Sequence, residues 1–188
     1  MTDINESGMT FRFPDENCFV IETDPVVMGH KCIKACECVA TITAKGKDLA
    51  IFLEAKSSAP KSKECRRELL AYDSQPFPER WFVLTDFDKF ISDICLKFED
   101  SFSTFYAMSQ GHHGKEAAAR LPKGCNAVDI RSTLFVLVIN GFKEDWLSPL
   151  NDAIKRQMRH FLNSWNLPDT SVKTLTPEGA ATIGLPVV

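Results

Sequence analysis

Two consecutive segments of this chain have the character of β-strands that are apolar on both faces. They cover residues 31–43 (KCIKACECVATIT) and 49–58 (LAIFLEAKSS), and a third such run follows at 133–140 (TLFVLVIN). Strands that are apolar on both faces lie in the middle of a sheet that is covered above and below. The pattern therefore predicts an α/β protein with this pair of strands near its centre.

The remaining signals predict further elements around these strands. Residues 10–23 indicate two short strands with a turn between them, and residues 45–48 indicate the hairpin turn that joins the two long strands. The later elements expected are a helix over 62–71, a strand over 81–85 and an amphipathic helix from about Asp86 to Gly111. A last helix should begin near Ser148, and its inward-facing residues should be Leu150, Ile154, Met158, Phe161, Leu162 and Trp165. We expect one domain over residues 1–188.

Composition and charge limit the classes of protein to consider. No run approaches the length of uninterrupted apolar sequence that a membrane span needs, and the acidic start MTDINESGMTFRF is unlike a signal peptide. The seven cysteines are an odd number and fall mostly in apolar segments, as reduced thiols do. We therefore expect a cytoplasmic protein. Its net charge of −3 argues against a scaffold that holds nucleic acid non-specifically, but not against an enzyme with local phosphate contacts.

Charged residues interrupt the second long strand at its end. Glu54 and Lys56 are two residues apart, so in a strand their side chains leave the same face about 7 Å apart. If the two long strands pair as a hairpin around residues 44–48, the residue opposite Glu54 falls near position 38. Glu37 is one residue away, and a small shift of register or a bulge would bring it beside Glu54.

Such a group of side chains suits phosphodiester hydrolysis. Two carboxylates, from Glu37 and Glu54, and the carbonyl oxygen of Ala55 can hold Mg²⁺, which prefers oxygen ligands and keeps several waters. Lys56 can orient the attacking water or stabilise the negative charge that develops on the phosphate. The alternative is a structural Glu–Lys ion pair that closes the sheet and holds no metal.

The chain has an acid, then a turn, then an apolar strand that ends in Glu-x-Lys, here Glu37 followed by IFLEAKSS. This order resembles the PD-(D/E)XK superfamily of nucleases over about residues 18–85. The resemblance implies a restriction-endonuclease-like fold, in which a mixed β-sheet is flanked by α-helices. It also implies that Glu37, Glu54 and Lys56 use Mg²⁺ or Mn²⁺ to cut DNA or RNA, with Glu22 as a possible additional acid. The first acid is usually an aspartate after a proline in that superfamily, whereas here it is a glutamate.

Basic residues just after the motif are candidates for contact with the nucleic-acid backbone. They lie on the expected helix 62–71 and beside it, and they are Lys61, Lys63, Arg66 and Arg67. A solvated helix face explains them equally well.

Two hypotheses of function remain open from the sequence. The first is a metal-dependent nuclease, or a nuclease-like protein, of DNA repair or defence. The second is a catalytically inactive module of the same fold that acts through a protein partner, which the acidic charge and small size favour. A homo-oligomer is compatible with either hypothesis.

Overall fold

The computed structural model describes residues 1–44, 46–60, 85–126 and 128–188. The strands are β1 (Thr2–Glu6), β2 (Met9–Phe13), β3 (Cys18–Phe19), β4 (Cys38–Ala44), β5 (Lys47–Lys56), β6 (Thr133–Ile139) and β7 (Val172–Leu175). The α-helices are α1 (Pro25–Met28), α2 (Asp86–Ser109), α3 (Lys115–Arg120), α4 (Lys123–Asn126), α5 (Leu147–Ser164) and α6 (Pro177–Thr182). Nothing in the described part of the chain forms a helix long and apolar enough to cross a membrane.

Five of these strands form one mixed sheet in the order β3-β4-β5-β6-β7. β4 runs antiparallel to both β3 and β5, whereas β5, β6 and β7 run parallel to one another. The parallel pairing of β5 with β6 requires a long crossover, and α2 lies in that part of the chain. The predicted α/β class, the hairpin between the two long strands and the buried strand near 133–140 are confirmed.

The two faces of this sheet are covered differently. On one face, α2 and α5 pack over a cluster of aromatic rings, in which Phe52 of β5 lies 5.5 Å from both Phe102 and Phe135 between ring centroids. On the other face, the β1–β2 hairpin supplies Phe11 and Phe13, with α6 beside it. The sheet is thus covered on both faces, as expected, and a β-hairpin provides much of the second layer.

The first long strand is shorter than the sequence predicts. Residues 31–37 lie outside it, and β4 begins only at Cys38. Side chains of α2 take two of the backbone N–H groups that a strand would use: Lys34 donates to Oδ2 of Asp100 at 2.9 Å, and Cys36 donates to Oγ of Ser101 at 2.8 Å. Tertiary hydrogen bonds thus override the β-propensity of this segment.

Other differences are local. Trp165 stays 39% exposed instead of turning inward, although its ring still contacts Phe102. Helix α1 starts after Asp24, whose carboxylate accepts a hydrogen bond from the N–H of Val26 and caps the helix. Strands β1 and β7 were not predicted. The long helix α2 is confirmed, whereas the helix over 62–71 and all but the last residue of the strand over 81–85 lie outside the described residues.

Candidate functional site

The pairing of β4 with β5 brings the two predicted acids together. Cys38 is opposite Leu53 in the register, and the N–H of Glu37 donates to the Leu53 carbonyl at 2.9 Å. The regular pairing ends there, and the bond from Glu37 is one residue out of register, because residues 37 and 38 both lie opposite Leu53, as at a bulge. Burial and the nearby charge of Glu54 both act on the Glu37 carboxyl, so the two acids lie close together. Glu37 itself lies immediately before β4, which corrects its expected position within the strand.

Glu54 is the centre of the charged group. Its side chain is 0% exposed, and its Oε1 accepts hydrogen bonds from Lys56 Nζ at 2.6 Å and from Lys97 Nζ at 2.7 Å. The lysine side chains are 29% and 15% exposed respectively, so both ammonium groups lie between the buried carboxylate and the surface. The expected contact between Glu54 and Lys56 is present, and a second cation from α2 joins it.

The other carboxylate oxygen of Glu54 is different. Oε2 is buried, and no donor among the described residues reaches it. A buried carboxylate oxygen without a partner is costly, because it has lost its hydration and gained no hydrogen bond. The described residues therefore leave the negative charge on this side of Glu54 uncompensated.

Burial and crowding of negative charge alter the acidity of the site. Burial, together with the charges of Glu54 and Glu22, raises the pKa of Glu37 to about 8. Burial also raises the pKa of Glu54, although Lys97 and Lys56 oppose the rise. Burial acts to lower the pKa of Lys97, but the nearby glutamates outweigh it and the pKa is raised. The raised pKa of Glu37 favours its protonated form.

The tip of the β1–β2 hairpin reaches the same end of β5. Ser7 Oγ lies 3.2 Å from the Ala55 carbonyl oxygen and 3.1 Å from Oε1 of Glu6. A hydroxyl has one proton, so it can donate fully to only one of these acceptors at a time. Ser7 therefore shares its one proton between Glu6 and the Ala55 carbonyl, which the sequence predicts as a metal ligand.

No model of a known protein family, no curated protein and no solved structure matches this chain. Its function has to follow from the chemistry of its own residues.

The structure brings together the three residues named from the motif, Glu37, Glu54 and Lys56, and puts Glu22 near them. Glu22 is exposed, and its negative charge acts on both Glu37 and Lys97. The basic residues proposed for nucleic-acid contact all lie outside the described residues: Lys61, Lys63, Arg66 and Arg67.

Lys97 was not identified from the sequence. It lies on α2 between Ile94 and Ser101, both fully buried, at the edge of the apolar face of the helix. A lysine at that edge can extend its stem along apolar side chains while its ammonium reaches a polar group. Its position beside the apolar stripe was the available signal, but nothing local connects it to a glutamate 43 positions earlier.

Glu37, Glu54 and the Ala55 carbonyl can be tested as ligands of a divalent metal. Within the described ranges, no group of three or more His, Cys, Asp or Glu side chains has an arrangement that could hold a metal ion. Mg²⁺ usually keeps several of its waters and needs only one or two protein carboxylates. The unpartnered Oε2 of Glu54 is the kind of oxygen that it binds. The described residues thus offer a metal one unpartnered carboxylate oxygen, beside the Glu37 carboxyl and the Ala55 carbonyl.

A cleft of about 420 Å³ lies beside this site, between α1, the segment 30–35 and α2. We call it the α1–α2 cleft. Lys97 and Glu22 line it, and Lys97 also contacts Glu54, so the cleft and the candidate site share a wall.

Proposed function

We propose that this protein is a metal-dependent nuclease with a restriction-endonuclease-like fold, which hydrolyses phosphodiester bonds in nucleic acid at Glu37, Glu54 and Lys56. One observation carries the proposal. Glu37 and Glu54 lie close together where β4 begins and β5 ends, and one oxygen of Glu54 is buried without a partner. Lys56 of β5 and Lys97 of α2 both contact the other oxygen of Glu54. Carboxylates for a metal beside cations for a phosphate are what this reaction needs.

The architecture around the site supports the same proposal. The sheet is mixed, an acid precedes β4, and the Glu-x-Lys pair ends the neighbouring strand β5. These are the features that the resemblance to the PD-(D/E)XK superfamily implies.

The residues have distinct roles in this proposal. Glu37, Glu54 and the Ala55 carbonyl hold Mg²⁺ or Mn²⁺, and Glu37 loses its proton when it does so. The metal, when bound, acts as a Lewis acid toward the phosphate. Lys56 orients the attacking water and stabilises developing charge, whereas Lys97 holds the Glu54 carboxylate in place.

One observation favours the second hypothesis, a catalytically inactive module that acts through a protein partner. Glu54 is fully buried and one of its oxygens already accepts two ammonium groups. A carboxylate held in this way can serve the sheet as an ion pair alone.

A cleavage assay separates the two functions. Purified protein is incubated with end-labelled single-stranded and double-stranded DNA and RNA, in Mg²⁺, Mn²⁺ or EDTA. We expect cleavage that requires metal and falls about 100-fold or more in Lys56→Ala, since removing one charge-stabilising group commonly has an effect of that size. Lys115→Ala, an exposed lysine of α3, is the matched control and should cleave normally. Activity that survives unchanged in Lys56→Ala refutes the site, and no cleavage with any substrate favours the inactive module.

A further inference from the structure

The α1–α2 cleft has one apolar wall and one charged wall. The apolar side chains are those of Val27, Met28, Ile33 and Ala35. Met28 is 72% exposed although it is a large hydrophobic residue. A thioether side chain is flexible and polarisable, and it packs well on flat rings. This wall suits a planar, largely apolar group.

The charged wall contains three lysines, and two of them already have anionic partners. Lys34 pairs with Asp93, and Lys97 pairs with Glu54. Lys31 is exposed and has no ion pair with any residue that the structure describes. Among the described residues that line the cleft, Lys31 therefore supplies the ammonium that is left for an anion from outside the chain, beside the exposed acid Glu22.

We propose that the α1–α2 cleft binds one unpaired nucleotide of a single-stranded nucleic acid. The base packs on Met28 and its apolar neighbours, and a phosphate contacts Lys31. This inference rests on the proposed nuclease function. If that function is correct, the inference identifies single-stranded nucleic acid as the substrate of the site.

The size of the cleft favours an unpaired base. A cleft of about 420 Å³ has room for one nucleotide unit. In a double helix each base is stacked and paired, whereas in a single strand it can turn outward and lie against protein side chains.

Lys97 connects this cleft to the chemistry. It lines the cleft and its Nζ lies 2.7 Å from Oε1 of Glu54. A strand with one base in the cleft therefore has its adjoining backbone beside Glu54 and Glu37. The cleft would select the strand, and the glutamates would act on its backbone.

Binding can be measured without cleavage. The full-length protein is titrated in EDTA against fluorescein-labelled oligothymidylate, oligouridylate and a duplex of equal length, and fluorescence anisotropy is recorded. Lys31→Glu and Met28→Ser test the two walls, and Lys115→Glu is the charge-matched control. Free thymidine monophosphate is added as a competitor, to distinguish a mononucleotide site from one that needs a strand.

We expect single strands to bind about ten-fold more tightly than the duplex, and Lys31→Glu to weaken that binding about ten-fold at low salt while Lys115→Glu leaves it unchanged. Met28→Ser should weaken single-strand binding and leave duplex binding unaltered. Displacement of the strands by low concentrations of the mononucleotide would overturn the strand requirement. Equal affinity for duplex and single strand, no binding at all, or an unaltered Lys31→Glu variant would overturn the cleft assignment.

These outcomes are separable from the fate of the proposed function. If the protein binds single strands through Lys31 but cleaves no substrate, the binding site in the cleft is supported and the nuclease function is refuted. If metal-dependent cleavage is confined to duplexes, the nuclease function is supported and the cleft is refuted as the site that binds its substrate.

Discussion

Lys97 Nζ lies 2.7 Å from Oε1 of Glu54, so one ion pair links α2 to the central strand β5 at a point where the carboxylate is fully buried. Lys56 contacts the same oxygen from the strand itself. A buried carboxylate with two cations on one oxygen and no donor from the described residues on the other is unevenly compensated. Both the contribution of Lys97 to stability and the proposed chemistry of the site depend on that imbalance.

Replacing Lys97 with methionine should destabilise the fold, because one of the two cations that compensate Glu54 is lost. Removal of one partner from a buried pair costs several kcal/mol, and since Lys56 remains we expect a loss of about 2 kcal/mol in the free energy of unfolding. Urea denaturation followed by circular dichroism measures it. Lys89→Met, on the same helix but paired with the exposed Asp86, is the control and should change stability by less than about 0.5 kcal/mol. Equal effects of the two substitutions would show that the Glu54–Lys97 pair contributes nothing.

Stability should fall as the pH rises from acid to mildly alkaline. The pKa of Glu37 is raised from 4.5 to about 8, so the folded state binds its proton more tightly than the unfolded state does. This contribution to stability is complete below pH 4.5 and is lost as the pH rises through about 8, with a slope of up to about 1.4 kcal/mol per pH unit.

Unfolding free energies measured in urea between pH 5 and pH 8 test this, with Glu37→Gln as the comparison. The variant keeps the shape of the protonated acid and cannot ionise, so its profile should be flatter than that of the wild-type protein. Parallel profiles would mean that Glu37 is not the titrating group.

Phe52 should be among the most sensitive core positions. Its ring lies 5.5 Å from Phe102, 5.9 Å from Phe105 and 5.5 Å from Phe135, which joins the sheet to α2. We expect Phe52→Ala to cost about 3–5 kcal/mol in the free energy of unfolding. Phe142→Ala, a half-buried ring near Trp146, should cost clearly less. A similar loss for both would contradict the position of the core between β5 and α2.

The sequence predicts the centre of the fold because its evidence is local. The two-sided apolar pattern of β5 and β6 identifies buried strands, and the turn between β4 and β5 predicts their pairing to within one residue. That accuracy is enough to predict that Glu37 and Glu54 lie near each other. The irregular path of residues 31–37 and the role of Lys97 depend on α2, which is far away in sequence. No spacing rule connects such partners, so strand propensity prevailed in the prediction where tertiary hydrogen bonds prevail in the structure.

The cover of the second face was also beyond local reasoning. β1 reads TDINE, in which only Ile4 becomes buried, so nothing in the segment signals a strand of a packed layer. Its role comes from its pairing with β2, whose Phe11 and Phe13 face the sheet.

Binding of Mn²⁺ tests most directly whether Glu37 and Glu54 form a metal site. Isothermal titration calorimetry is carried out on the wild-type protein, on Glu54→Gln and on Glu116→Gln, an exposed acid of α3 that serves as the control. The account predicts one saturable Mn²⁺ site. Its affinity for Mn²⁺ should fall about ten-fold or more in Glu54→Gln, because even substitutions of residues behind the ligands have effects of that size. Glu116→Gln should leave the affinity unchanged. A wild-type protein that binds no Mn²⁺, or a Glu54→Gln variant that binds it equally well, would contradict the account.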